Sequence, residues 1–117
     1  MHVQVNTDNH VQGAESLAAW AEAELKERLA RFRDRVTRIE VLFSDHNAAR
    51  GGGNDKRCVL EARIAGRQPV AVSHDAGKVA DAMFGAAEKL ERALDTTFGR
   101  ARDARGRESI RGGESGD

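Results

Sequence analysis

Two places in the chain set an acid directly beside an imidazole, Asp45-His46 and His74-Asp75, and Cys58 supplies a single thiol. Such groups perform acid–base or nucleophilic chemistry when they converge. Neighbouring positions on an extended chain point to opposite faces, so adjacency in sequence does not make a catalytic dyad. Cys58 falls on the inward side of an alternating pattern, which predicts a buried cysteine rather than a reactive thiolate. We therefore expect no enzyme. The spacing of the histidines and the cysteine also supplies no convergent metal site.

A glycine run, Gly51-Gly52-Gly53, has the composition of a phosphate-binding loop. It matches neither the Walker pattern nor the dinucleotide-binding pattern, and no helix begins after it, so we interpret it as a loop between two strands. Aromatic residues are scarce, with four Phe, one Trp and no Tyr. Binding of single-stranded nucleic acid by stacking needs exposed aromatic rings, and most of these fall on apolar stripes. The sequence therefore predicts no cofactor, no small-molecule substrate and no aromatic RNA platform.

Composition and charge narrow the class of protein further. The 117 residues suffice for one domain, and 39% hydrophobic residues suffice for a modest core. The 19 basic and 19 acidic residues cancel, so a uniformly cationic surface is excluded. One cysteine excludes a disulfide scaffold and fits a reducing compartment. No apolar run approaches the roughly 20 residues of a membrane span, and the N-terminus lacks a secretion-signal pattern. We expect a cytoplasmic protein that does not bind membranes.

Hydrophobic periodicity predicts the element order β-α-β-β-β-α. Period-2 segments predict strands at 2–7, 37–44, 56–65 and 69–73, and helical stripes predict helices at 14–32 and from an N-cap at Asp75 to Gly99. The first two strands should pair in parallel across a right-handed crossover, and the last three as antiparallel hairpins. This order predicts an α+β fold, with two helices on one face of a four-stranded mixed sheet. A domain of 1–99 would precede an Arg- and Gly-rich disordered tail of 100–117.

Basic residues concentrate at the end of the first helix and on one sector of the second helix. If both helices lie on one face of the sheet, their basic flanks would combine into one positive surface. Guanidinium groups suit bidentate contact with phosphate, which makes this a candidate polyanion site. A merely solvated helix face is the alternative interpretation. The candidate residues are Lys26, Arg28, Arg31, Arg33, Arg35, Lys78, Lys89, Arg92, Arg100 and Arg102.

Three stretches resemble one bacterial family: Met1–Val5, Lys56–Arg63, and the segment from Val70 to Leu94 that ends in Glu-Lys-Leu-Glu-Arg-Ala-Leu. The family is the hibernation-promoting factor and ribosome-associated inhibitor group, also labelled sigma-factor modulation proteins. The resemblance covers about residues 1–100. It implies a non-enzymatic protein that lodges in the mRNA and tRNA channel of the small ribosomal subunit and silences translation when growth slows.

The same resemblance implies that basic residues of both helices contact ribosomal RNA, and Lys89 and Arg92 match such positions directly. It also implies a short form, since the tail is too short for the C-terminal domain through which long members dimerise ribosomes. The chain departs from the family pattern at Glu24, Glu27 and Asp95, where members carry Lys or a Lys-rich segment. A second hypothesis therefore stays open, in which the chain is a protein-binding regulatory module that kept the fold without the ribosome.

Overall fold

The chain folds in the predicted order β-α-β-β-β-α. The computed structural model describes residues 1–8, 13–46 and 55–110, with 100–110 described as backbone only. The elements are β1 (His2–Thr7), α1 (Ala14–Arg28), a 3-10 turn (Ala30–Phe32), β2 (Val36–Asp45), β3 (Lys56–Ile64), β4 (Val70–Ala76) and α2 (Val79–Ile110). The Gly51-Gly52-Gly53 loop lies outside the described residues.

The four strands form one mixed sheet in the spatial order β1-β2-β3-β4. β1 pairs with β2 in parallel, and β2–β3 and β3–β4 are antiparallel. Because side chains alternate across a strand, the register places Val3, Ile39 and Ala62 in one row on one face. Both helices cover this face, α1 over β1 and α2 over β3 and β4. The predicted two-layer α+β architecture is confirmed.

The core lies between the sheet and the two helices. Five side chains at the centre of this core have no solvent exposure. They are Leu25 of α1, Leu29 directly after α1, Leu90 and Leu94 of α2, and Cys58 of β3. Removing a side chain of this size from water contributes about 1.5–3 kcal/mol. These apolar stripes therefore fix the rotation of each helix, and with it the direction in which the charged residues of the opposite stripe point.

Several predicted element boundaries are wrong. The first helix ends at Arg28 rather than near residue 32, and the 3-10 turn that follows keeps Phe32 buried. Asp75 is not the N-cap of the second helix, because β4 continues through it to Ala76. Its carboxylate accepts a hydrogen bond from Nε of Arg57 across the sheet at 2.8 Å. The helix begins at Val79, after a cross-strand ion pair has extended the strand.

α2 also continues beyond its predicted end. Gly99 is a weak helix former, costing about 1 kcal/mol relative to Ala, yet the backbone stays helical to Ile110. Packing through Phe98 has already nucleated the helix, so each further residue adds a hydrogen bond at low cost. Residues 111–117 lie outside the described residues. The division into a domain of 1–99 and a tail of 100–117 therefore stays a prediction.

At Gly85, helix α2 packs closely against His74 of β4. A Cβ atom at Gly85 would overlap the ring of His74, whereas a Cβ at Gly99 in the same helix would meet nothing within 4 Å. Overpacking costs about 1–3 kcal/mol, against about 1 kcal/mol gained by replacing a helical Gly with Ala. Gly85→Ala should therefore lower the free energy of unfolding by about 1 kcal/mol, and Gly99→Ala should raise it.

Thermal unfolding of the two variants measures this difference. His74→Ala/Gly85→Ala should recover the stability that Gly85→Ala loses, because the truncated side chain leaves room for the new methyl group. A Gly85→Ala variant as stable as Gly99→Ala would contradict the close packing of α2 on β4.

Candidate nucleic-acid interface

Arg28 and Arg31 turn towards α2 rather than towards solvent. Nε of Arg28 lies 2.5 Å from Oε2 of Glu91, and Nη1 of Arg31 lies 2.6 Å from Oδ1 of Asp95. Glu91 and Asp95 are one helical turn apart on α2. Arg28 at the end of α1 and Arg31 in the 3-10 turn have a similar spacing, so each arginine meets one carboxylate. The hydrogen bond to Asp95 raises the pKa of the Arg31 guanidinium. We call these four residues the interhelical ion-pair row.

The basic residues of α2 line a different flank of that helix. Lys89 donates a hydrogen bond from Nζ to the carbonyl oxygen of Ser73 at 2.9 Å, which places it beside β4. Arg92 is 73% exposed and pairs with Glu88 one turn earlier at 3.2 Å. Lys78 is exposed just before the helix begins. We call Lys78, Lys89 and Arg92 the outer basic face of α2.

Carboxylates separate these two basic groups. The sequence predicts that the flanks of the two helices combine into one positive surface, but Glu91 and Asp95 stand between Arg28 and Arg31 on one side and the outer basic face on the other. The physical reason is that α2 turns its acidic edge towards α1. Lys26 is also paired, with Glu22 on its own helix at 3.0 Å. Arg100 and Arg102 lie on the helical backbone of α2, and their side chains are not described.

A third basic group lies where the 3-10 turn, the β3–β4 turn and α2 meet. The guanidinium carbon of Arg35 is 4.6 Å from the ring centroid of Phe98, and that of Arg67 is 5.9 Å from the same centroid. Arg33 is exposed nearby and donates to the carbonyl oxygen of Ala30 at 3.3 Å. Sequence reasoning selected Arg33 and Arg35 and missed Arg67, because a single arginine in a turn belongs to no periodic pattern.

Of the residues that suggested catalysis, Cys58 on β3 and His74 on β4 lie opposite each other in the strand register. Cys58 is fully buried, and burial raises the pKa of its thiol to about 12, far from the reactive range. Hydrogen bonding to Arg57 lowers the pKa of Asp75, so its carboxylate is engaged in an ion pair across the sheet. His46 contacts Ser44, with Nε2 3.3 Å from the hydroxyl oxygen. Within the described ranges, no three His, Cys, Asp or Glu side chains are arranged to hold a metal ion.

The uncovered face of the sheet is charged but balanced. Arg38 pairs with Glu40 at 2.9 Å and Arg63 with Glu61 at 3.4 Å, on neighbouring strands. Leu42, 44% exposed, is an apolar position on the same face. A balanced set of ion pairs attracts a polyanion much less than an unpaired basic group does. The candidate interface is therefore on the helical side and at the end of the sheet near Phe98.

The chain is thus a two-layer β-α-β-β-β-α domain that exposes basic groups on its helical layer. Residues 3–102 match the family model described as sigma 54 modulation protein / S30EA ribosomal protein, and the chain belongs to this family. None of the curated proteins gives a significant match.

Two solved structures share the fold. One is a ribosomal subunit interface protein from Coxiella burnetii, 15% identical, with a TM-score of 0.59 over 85% of this chain and 99% of that one. The other is the Protein Y N-terminal domain from Thermus thermophilus, 18% identical, with a TM-score of 0.65 over 83% of this chain and 99% of that one. Among the helices that the structure describes, none is long and apolar enough to cross a membrane.

Proposed function

We propose that this chain is a hibernation factor that binds the small ribosomal subunit in the channel used by mRNA and tRNA and so inhibits translation when growth slows. The observation that carries this proposal is the match of residues 3–102 to the S30EA ribosomal protein family. The shared fold with a ribosomal subunit interface protein supports it. Because a ribosome-binding protein acts where ribosomes are located, we propose a cytoplasmic location.

The outer basic face of α2 supplies the most accessible contacts for ribosomal RNA in this proposal. Arg92 projects into solvent, and Lys89 has two ammonium protons left after its single bond to Ser73. Phosphate contacts of this kind position a protein on folded RNA without reading base sequence. The proposed contact residues are Lys26, Arg28, Arg31, Arg33, Arg35, Lys78, Lys89, Arg92, Arg100 and Arg102. Inhibition comes from occupying the channel, with no catalytic step and no cofactor.

Sedimentation with purified ribosomal subunits tests the proposal. The protein should pellet with small subunits at low ionic strength and far less with large subunits. Its affinity should fall as a power of the salt concentration, with an exponent of about 0.7–0.9 per phosphate contact. Small subunits preloaded with mRNA and tRNA should bind much less of it. Equal pelleting with large subunits, or no competition from mRNA and tRNA, would contradict the proposed site.

A protein-binding regulatory module is the second candidate function. The observation that favours it is the pairing of Arg28 and Arg31 with Glu91 and Asp95 in a chain whose formal net charge is +0. An affinity pull-down from stationary-phase cells separates the two candidates. Recovery of ribosomal RNA with small-subunit proteins supports the proposed ribosome binding. Recovery of one discrete protein without ribosomal RNA supports the protein-binding regulatory module.

A further inference from the structure

The arginines that the structure describes divide into two groups by their partners. Most have a carboxylate oxygen within 4.0 Å, and these are Arg28, Arg31, Arg38, Arg57, Arg63 and Arg92. Among the side chains described, Arg33, Arg35 and Arg67 have no carboxylate partner. All three lie at the same end of the sheet, which therefore exposes three guanidinium groups that have no ion-pair partner among the described residues.

The fold brings Arg35 and Arg67 together from distant parts of the chain. Arg35 precedes β2, and its backbone N–H donates to the carbonyl oxygen of Phe32 at 2.9 Å, which closes the turn between the 3-10 turn and β2. Arg67 follows Gly66, whose φ of 74° lies in the left-handed region that glycine adopts without strain. That turn directs Arg67 towards α2, where both guanidinium groups contact the ring of Phe98.

Phe98 contacts the guanidinium groups of both Arg35 and Arg67. Phe98 is buried, and its ring packs against that of Phe32 with centroids 5.9 Å apart, so its position is fixed by the core. Attraction between a guanidinium group and an aromatic face contributes about 0.5–1 kcal/mol at exposed sites. Neither guanidinium group forms an ion pair with a described carboxylate, so both can donate hydrogen bonds to a bound anion. Next to Arg67 the surface forms an open depression that Gln68 and Thr97 also line, which leaves room for a sugar–phosphate chain.

We infer that Arg35 and Arg67, held on Phe98, form a second phosphate-binding site for an RNA strand, at the end of the sheet and apart from the outer basic face of α2. This site extends the proposed function, on which it rests, by giving RNA a second point of attachment to the protein. Two separated attachment points fix the orientation of a bound protein, which one basic helix face does not. Arginine suits the role because its planar fork donates two parallel hydrogen bonds to a phosphate.

The test compares two double variants that lose the same net charge. Arg35→Gln/Arg67→Gln removes the proposed site, and Arg57→Gln/Arg63→Gln removes two exposed arginines from the uncovered face of the sheet. Affinity for purified small subunits is measured across a salt series, together with the thermal unfolding midpoint. We expect Arg35→Gln/Arg67→Gln to bind about tenfold more weakly at low ionic strength, with a salt exponent smaller by about 1.4–1.8 for two lost phosphate contacts. The control should stay within about twofold of the unmodified protein.

The outcomes separate this inference from the proposed function. If the unmodified protein binds small subunits and Arg35→Gln/Arg67→Gln binds with the same affinity and salt exponent, the second site is wrong and the proposed function stands. If the unmodified protein does not bind small subunits, both are wrong. A smaller salt exponent seen only in Arg35→Gln/Arg67→Gln, in a variant that remains folded at the temperature of the binding assay, supports the second site.

Discussion

Replacing Lys89 and Arg92 together by glutamine should lower the affinity for small subunits by about a hundredfold at low ionic strength. Hydrogen bonds to charged groups contribute about 1.5–3 kcal/mol each, and 1.4 kcal/mol is a factor of ten in affinity. Both side chains are exposed. Their partners within the protein are a single carbonyl oxygen of Ser73 and the neighbouring carboxylate of Glu88, so the fold should hardly change. Sedimentation across a salt series measures the loss.

The control for this prediction is again Arg57→Gln/Arg63→Gln, which removes the same net charge from the opposite side of the molecule. An equal loss of affinity in both variants would mean that overall charge, rather than the outer basic face of α2, controls binding. Unchanged affinity of Lys89→Gln/Arg92→Gln would remove α2 from the contact surface. Either result would overturn the residue match on which the proposed interface depends.

The sequence predicts the fold well because the fold depends on local periodicity. Alternation in 2–7, 56–65 and similar segments predicts strands, and the order of elements then leaves one economical way to cover the sheet. The misplaced N-cap at Asp75 shows where local reasoning stops. An aspartate before a helix favours a cap, yet Arg57, 18 positions away in sequence, holds it in the strand. A local sequence pattern does not reveal an ion-pair partner that lies so far away along the chain.

The candidate site is predicted less well for the same reason. Periodicity assigns Asp95 to one edge of α2 and Arg92 to another, but it does not say which edge turns towards α1. Arg28 and Glu91 are 63 positions apart, so their pairing follows from the packing of both helices on the sheet. Arg67 is harder still to foresee, since Gly66-Arg67 predicts only a turn. Arg67 matters because it contacts Phe98. Phe98 is a core residue whose ring also contacts the guanidinium groups of Arg35 and Arg67.

Replacing Glu91 by glutamine and Asp95 by asparagine should raise the affinity for small subunits by about tenfold. In the unmodified protein these carboxylates occupy the guanidinium groups of Arg28 and Arg31, and an RNA phosphate must displace them in order to bind. Neutral amides would release both arginines and steepen the salt dependence by as many as two phosphate contacts. The pairs are one-quarter to one-half exposed, so their loss should cost about 1 kcal/mol of stability or less.

The matched control is Glu40→Gln/Glu61→Gln, which removes two carboxylates from the ion pairs of the uncovered sheet face. Tighter binding confined to Glu91→Gln/Asp95→Asn would make the interhelical ion-pair row a device that limits the affinity of the protein for RNA, since its own carboxylates compete with phosphate. An equal gain in affinity for small subunits in both variants would mean that the change in net charge alone causes the gain. If Glu91→Gln/Asp95→Asn binds no more tightly and unfolds more easily, then Arg28 and Arg31 join the two helices and do not contact RNA. The surface available to the ribosome would then be the outer basic face of α2 and the arginines at Phe98.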